Sequence, residues 1–215
     1  MKKTAVLERL QECGVVAVVR AESVEQATKI AEACAAAGIA GLEITYTVPG
    51  ATEVIKALSE KYSDGKIIVG AGTVLDSETA RIAILNGAQF IVSPNFNPEV
   101  IKLANRYKIA TMPGCMTPRE AIEAMEAGAD VIKIFPGDLF GPKIIKDFKG
   151  PLPQGDFMPS GGVNLDNCAE WIKAGAVAVS TGSSLTAGAK KGDYESITEL
   201  GKQYIQKVKE AREAK

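Results

Sequence analysis

Two charged residues stand where apolar ones are expected. Residues 131–138 read Val-Ile-Lys-Ile-Phe-Pro-Gly-Asp, a run with the composition of a buried strand and one lysine, Lys133, in its middle. Residues 42–47 read Leu-Glu-Ile-Thr-Tyr-Thr, with Glu43 between Leu42 and Ile44. Such residues are almost never fully buried unless paired. Side chains alternate across a strand, so Lys133 shares a face with Val131 and Phe135, and Glu43 shares one with Thr45 and Thr47. An amine kept from water gives up its proton more readily than an exposed one. A free amine can attack a ketone and form a Schiff base. The iminium draws electrons from the adjacent carbon, so a carbon–carbon bond there can break or form without a metal. A carboxylate beside the lysine can move the protons, and Glu43 is the candidate. The competing reading is a purely structural Lys133–Glu43 pair, although desolvation makes such pairs weak sources of stability.

Composition removes most other chemistries. The 215 residues include no histidine, which excludes Ser-His-Asp and Cys-His nucleophiles and imidazole proton shuttles. Cys13, Cys34, Cys115 and Cys168 lie far apart with no CxxC spacing. They read as reduced thiols of a cytoplasmic protein, not as a disulfide framework or a zinc site. No metal and no cofactor is expected. A net charge of −1 offers no footprint for nucleic acid or an anionic membrane. The opening MKKTAVLERLQECG lacks the apolar core of an export signal, and no apolar run reaches the ~18 residues of a membrane span.

The elements that must carry the pair recur along the whole chain. Apolar runs rich in β-branched residues occupy 15–20, 42–47, 67–72, 90–95, 110–115, 131–136, 157–162 and 176–181. Helical patterns fill the gaps, framed by start and stop signals: Ser23 to Gly38, Asp76 to Gly87, Thr117 to Gly128 and Leu165 to Gly175. Thr117-Pro118-Arg119-Glu120 has the form of a capping box with proline at the first helical position. Strand then helix, eight times, predicts a (β/α)8 TIM barrel in one domain, residues 1–215, with an extra N-terminal helix over 3–13. A doubly wound open sheet would place a glycine-rich loop after the first strand, where this chain has Arg20-Ala21-Glu22-Ser23. Barrel sites lie at the C-terminal ends of the strands. The runs Ser160-Gly161-Gly162 and Gly182-Ser183-Ser184 follow the seventh and eighth strands, where barrels often bind phosphate and where ordinary tight turns would also use Gly and Ser. Thr73 ends the third strand with a hydroxyl, either to dock a carboxylate or to serve a turn or helix-capping role before Asp76. Arg20 is either an anion ligand or a rim ion pair. Pro94 and Pro113 read as residues that shape strand ends.

These segments together resemble a family. VVAVVRAES, GLEITYTVPGA, VGAGTVLD, FIVSPNF, MPGCMTP, VIKIFPGD, PSGGVNLDN and TGSSL, in this order, are similar to the bacterial 2-keto-3-deoxy-6-phosphogluconate (KDPG) aldolases, some of which also cleave 4-hydroxy-2-oxoglutarate (KHG). The resemblance runs over roughly residues 10 to 205. It implies a class I aldolase, commonly a homotrimer, that splits the phosphorylated keto acid into pyruvate and glyceraldehyde 3-phosphate. It assigns Lys133 as the Schiff-base lysine, Glu43 as the acid/base and Thr73 as a ligand of the pyruvyl carboxylate. Gly161, Gly162, Gly182 and Ser183 match its phosphate loops, Pro94 and Phe135 its pocket walls, and Arg20 an arginine of the first strand. Many members carry an arginine four residues after the glutamate. This chain has Thr47 there, with Arg20 available to replace it. The alternatives are KHG cleavage as the main role, or a non-catalytic barrel that binds phosphorylated ligands.

Overall fold

In the computed structural model, which describes residues 1–214, an α/β chain forms two curled, wholly parallel sheets. The strands are β1 (Val15–Val19), β2 (Gly41–Thr45), β3 (Ile68–Gly72), β4 (Phe90–Val92), β5 (Ala110–Met112), β6 (Gly114–Cys115), β7 (Ile132–Ile134), β8 (Phe157–Pro159) and β9 (Val179–Thr181). One sheet has the order β5-β4-β3-β2-β1-β9 and the other β6-β7-β8. A single parallel bridge, Ser160 to Ser180, extends from the end of β8 to β9. The run expected as one strand over 110–115 is broken at Pro113, whose missing N–H cannot extend a ladder, so β5 pairs with β4 and β6 with β7.

The helices are α1 (Lys3–Cys13), α2 (Val24–Ala36), α3 (Ala51–Lys61), α4 (Ser77–Leu85), α5 (Pro98–Arg106), α6 (Pro118–Glu126), α7 (Lys143–Lys149), α8 (Cys168–Ala174), α9 (Ser183–Thr186) and α10 (Tyr194–Glu213). No helix among the described residues is long and apolar enough to cross a membrane. Local chemistry sets several starts. The Ser23 hydroxyl accepts from the Gln26 N–H at 3.2 Å, and the Asp76 carboxylate from the Thr79 N–H at 2.6 Å. Thr117 and Glu120 close the full capping box. At α2 the box is open, because the Gln26 side chain accepts from the N–H of Glu22 and not of Ser23. Helix α8 begins at Cys168 rather than near Leu165: the Asn164 side chain accepts from the N–H groups of Asp166 and Asn167, an Asx turn that competes with a helical start.

The alternation of side chains divides the core into two layers. Val15, Ala17, Leu42, Ile44, Ile132 and Ile134 belong to an outer layer against the helices. Val16, Ile68, Phe90, Met112, Val131 and Met158 belong to an inner layer, together with Val6 and Leu10 of α1. Because both faces of each strand are buried, the strands read as nearly continuous apolar runs. Helix α1 thus does more than precede the first strand. It packs against the inner face so closely that a side chain on Gly41 would overlap Leu10.

Arg212 of α10 holds α1 in place. Its guanidinium donates to the carbonyls of Glu12 (2.7 Å), Gln11 (2.5 Å) and Val177 (2.8 Å), which joins the end of α1 to the segment entering β9. Hydrogen bonds from a charged donor are the stronger kind, and their loss leaves the terminal carbonyls of α1 without partners. We expect Arg212→Ala to lower unfolding stability by about 2–3 kcal/mol, measured by urea denaturation, while an unchanged midpoint would show that the end of α1 is held some other way.

Candidate active site

Lys133 occupies the centre of β7 and Glu43 the centre of β2. Both have inner-face parity: Val131, two residues before Lys133, is in the inner layer, whereas Ile132 and Ile134 are in the outer one. The Lys133 Nζ and Glu43 Oε1 lie 4.0 Å apart, with 7% and 1% of their side chains exposed. The amine also stands 4.9 Å from the centre of the Phe135 ring. The second carboxylate oxygen, Glu43 Oε2, is buried with no hydrogen-bond partner among the described residues. It is free to meet a substrate or a water.

Room for this carboxylate comes from a glycine. The inner-face positions of β3 are Ile68, Gly70 and Gly72, and a Cβ on Gly72 would collide with Glu43 Oε1, Cγ and Cδ. In the sequence Gly72 is just one residue of GAGTV. Its role depends on a contact with a neighbouring strand, for which periodicity carries no signal.

A cavity of about 200 Å3 opens beside the amine. Arg20, Lys133, Phe135, Gly161, Gly162, Gly182 and Ser183 line it, as do Ser160, which heads the glycine run after the seventh strand, and Ser180, a hydroxyl that the strand pattern did not single out. Gly161 and Gly162 take φ of 85° and 72°, a left-handed conformation that suits glycine. A Cβ on Gly162 would also overlap Asp138. The loops after β8 and β9 are tied directly to each other, and Tyr204 of α10 braces the β9 side of the tie. The Tyr204 hydroxyl donates to Ser184 Oγ at 3.2 Å and accepts from Thr181 Oγ1 at 3.3 Å, and Ser184 Oγ donates to the Val163 carbonyl at 2.6 Å. These ties fix Gly161-Gly162 relative to Gly182-Ser183. They too were silent in the sequence, since Tyr204 lies 20 residues beyond Ser184 on a separate helix.

Four expected residues do not line this cavity: Glu43, whose carboxylate stands 4.0 Å from the Lys133 amine that does, and Thr47, Thr73 and Pro94. Strand β2 ends at Thr45, two residues short of the expected 47, so Thr47 is exposed and does not line it. Its hydroxyl is paired with that of Thr45 at 2.8 Å, which in turn donates to the Val19 carbonyl at 3.1 Å. Thr73 and Pro94 are half-buried just past β3 and β4 and do not line the cavity either. Asp76, not Thr73, caps α4. Thr73 instead has φ of 56°, a left-handed backbone that is a real outlier for a β-branched residue. The Pro94 carbonyl lies where a side chain on Gly114 would be, so Pro94 shapes the junction between β4 and β6. The cysteines contribute no nucleophile to the cavity. None lines it, and burial pushes the Cys34 and Cys115 thiols up to about 12, far from the reactive thiolate form.

The sequence model of the family described as KDPG and KHG aldolase matches residues 6–200. The chain belongs to this aldolase family. It is 34% identical over 206 residues to the 2-dehydro-3-deoxy-phosphogluconate aldolase of Treponema pallidum, covering 94% of this chain and 97% of that one. It is 37% identical over 200 residues to the 2-dehydro-3-deoxy-6-phosphogalactonate aldolase of Escherichia coli K12, covering 93% and 95%. The crystal structure of KDPG aldolase from Legionella pneumophila, with pyruvate captured at low pH as a covalent carbinolamine intermediate, superposes with a TM-score of 0.84 at 29% identity, covering 94% and 97%. Aldolases are carbon–carbon lyases, and the absence of histidine from this chain is no obstacle to a lysine-based cycle.

The Gly72 contact yields a sharp test. An added methyl would overlap Cγ, Cδ and Oε1 of the buried Glu43, so that side chain must turn away, and the test uses Gly72→Ala protein shown to be folded by circular dichroism. The displaced carboxylate no longer reaches the amine, and we expect kcat for carbon–carbon cleavage to fall at least ~100-fold, the low end for a lost general acid/base. Near-normal turnover by a folded Gly72→Ala would show that the position of Glu43 does not matter.

Proposed function

We propose that this aldolase cleaves 2-dehydro-3-deoxy-6-phosphogluconate to pyruvate and glyceraldehyde 3-phosphate, with Lys133 as the Schiff-base lysine and Glu43 as the acid/base. The observation that carries the proposal is the buried Lys133–Glu43 pair, 4.0 Å apart beside the cavity. The carbinolamine trapped in the Legionella relative supports an amine as nucleophile.

The steps balance without a cofactor. The Lys133 amine adds to the C2 ketone, and the carbinolamine loses water to give the iminium. The Glu43 carboxylate takes the proton of the C4 hydroxyl as the C3–C4 bond breaks. The bonding electrons move into the iminium to form an enamine, and the C4 hydroxyl becomes the aldehyde of the leaving triose phosphate. Protonation at C3 regenerates an iminium, and water releases pyruvate and the free amine. Thr73 and Arg20 are the candidate partners of the substrate carboxylate. Thr47, exposed and paired to Thr45, is assigned to the rim of the site. Gly161, Gly162, Gly182 and Ser183 would hold the phosphate through backbone N–H groups and a hydroxyl, with Phe135 and Pro94 as walls.

The two sheets read as one closed (β/α)8 barrel in a single domain over residues 1–215, with α1 as an extra helix across its N-terminal end. In support, Pro113 alone separates β5 from β6, and the Ser160–Ser180 bridge joins β8 to β9. The homotrimer and the cytoplasmic location remain part of the proposal, carried by the family resemblance and by the reduced-thiol pattern. The same machinery can act on 4-hydroxy-2-oxoglutarate, and the Escherichia coli relative acts on the C4 epimer of the gluconate substrate. A pyruvate-release assay across the three keto acids ranks them.

Borohydride added with pyruvate should fix a covalent adduct on Lys133, seen as a mass increase on the peptide that contains it. Lys133→Ala should keep its fold and lose both the adduct and cleavage. Glu43→Gln should form the adduct but turn over more than ~100-fold more slowly. An unchanged mass after treatment of the wild-type protein would sink the proposal.

A further inference from the structure

We infer that Ser180 is a specificity-determining residue whose hydroxyl hydrogen-bonds the C5 hydroxyl of the keto-acid phosphate, an inference that rests on the function proposed above. Strand β9 alternates as the other strands do. Ala178 belongs to the inner layer and Val179 to the outer. Thr181 turns outward, where its hydroxyl meets Val163, Ser184 and Tyr204. Ser180 therefore faces inward, and it lines the cavity with Lys133. It is 1% exposed, and its Oγ has no hydrogen-bond partner among the described residues. Buried hydroxyls are nearly always bonded, and one that is not needs an explanation. Alanine at this position would fill the same space without stranding a polar atom, as it does at Ala178 one step down the same face.

The substrate has one polar group that nothing else accounts for. In the proposed cycle C2 is joined to Lys133 and the C4 hydroxyl gives its proton to Glu43. The C1 carboxylate has Thr73 and Arg20, and the phosphate on C6 has the two glycine loops. Only the C5 hydroxyl lacks a partner. The cavity runs from Lys133 and Phe135 to those loops, and Ser180 lies on its wall, two residues before Gly182 and bridged to Ser160, which directly precedes Gly161. A six-carbon chain held at C2 by the amine and at C6 by the loops passes Ser180 with its C4–C5 segment. A site that hydrogen-bonds a substrate hydroxyl discriminates against the analogue without it, because the protein group is then left unpaired.

The test runs the reaction in the direction of addition. Pyruvate is offered D-glyceraldehyde 3-phosphate, whose C2 hydroxyl becomes the C5 hydroxyl of the product, or 3-phosphooxypropanal, which lacks it. The wild-type protein should favour the hydroxylated aldehyde in kcat/KM by about tenfold or more, the worth of one hydrogen bond. In Ser180→Ala the ratio should fall to near one. Ser180→Cys, which keeps the size but hydrogen-bonds poorly, should lower it in the same way and serves if the alanine variant does not fold. A wild-type ratio near one, or a wild-type ratio retained in either folded variant, overturns the inference. Trapping of pyruvate with borohydride on the wild-type protein separates the two levels. An adduct with an unchanged ratio removes Ser180 alone, whereas no adduct removes the cycle and Ser180 with it.

Discussion

An amine and a carboxylate 4.0 Å apart, both almost wholly shut off from water, constrain everything built around them. Taking each charge out of water costs several kcal/mol, and attraction repays this only when geometry and further hydrogen bonds are good. Here the further bonds are missing on the glutamate side, where Oε2 has no partner. For stability alone, apolar residues would fill these positions better. The surroundings instead preserve the pair: Gly72 leaves space for the carboxylate, and the Phe135 ring stands beside the amine. Each neighbour makes sense as a device that keeps two groups apart from solvent but close to each other.

The inner face is graded along the strands. Towards their N-terminal ends it is apolar, with Val131, Met158 and Ala178 in the inner layer and Val6 and Leu10 of α1 packed on it. One step further along each strand, on the same face, stand Lys133, Ser160 and Ser180. The lower residues form a dry floor, and α1, held by Arg212, closes it from below. The cavity beside the polar step is lined from the C-terminal side, by the loops after β8 and β9. A helix that looks like an accessory in the sequence is therefore part of what keeps the amine from solvent.

Much of this was legible beforehand, for identifiable reasons. The two-residue period placed Lys133 and Glu43 on the inner face because their neighbours Ile132, Ile134, Leu42 and Ile44 are unambiguously apolar. The glycines after β8 and β9 were legible from their place after the seventh and eighth strand runs, where barrels often bind phosphate; Gly161 and Gly162 do take a left-handed backbone, whereas Gly182 does not. Strand ends were not. Thr47 fell outside β2 because the period continues past the last ladder bond, at Tyr46 N–H to the Gly72 carbonyl, and does not register where pairing stops. Gly72, Ser180 and Tyr204 escaped notice because each acts through a partner remote in the chain, and a single sequence holds no record of such contacts.

Thr73 shows how the rest of the fold maintains the site. A β-branched residue with φ of 56° costs on the order of 1–3 kcal/mol and persists only where its surroundings over-determine it. The surroundings do so. The Gly72 carbonyl before it accepts from Tyr46 N–H at 2.9 Å, and the Val74 N–H after it donates to the Val92 carbonyl at 3.2 Å. The backbone on either side of Thr73 is thus tied to the strands on either side, and the threonine between them has no relaxed conformation to adopt. Strain at Thr73, an unpartnered oxygen on Glu43 and an unpartnered hydroxyl on Ser180 all fall at or beyond the middle of the strands. Trp171 Nε1, the other buried polar side-chain atom without a partner among the described residues, belongs to a residue of the outer layer. The two unpartnered atoms of the inner face, on Glu43 and Ser180, are gathered at the end where a ligand can meet them, and the apolar floor with its clamped helix supplies the stability that lets them remain.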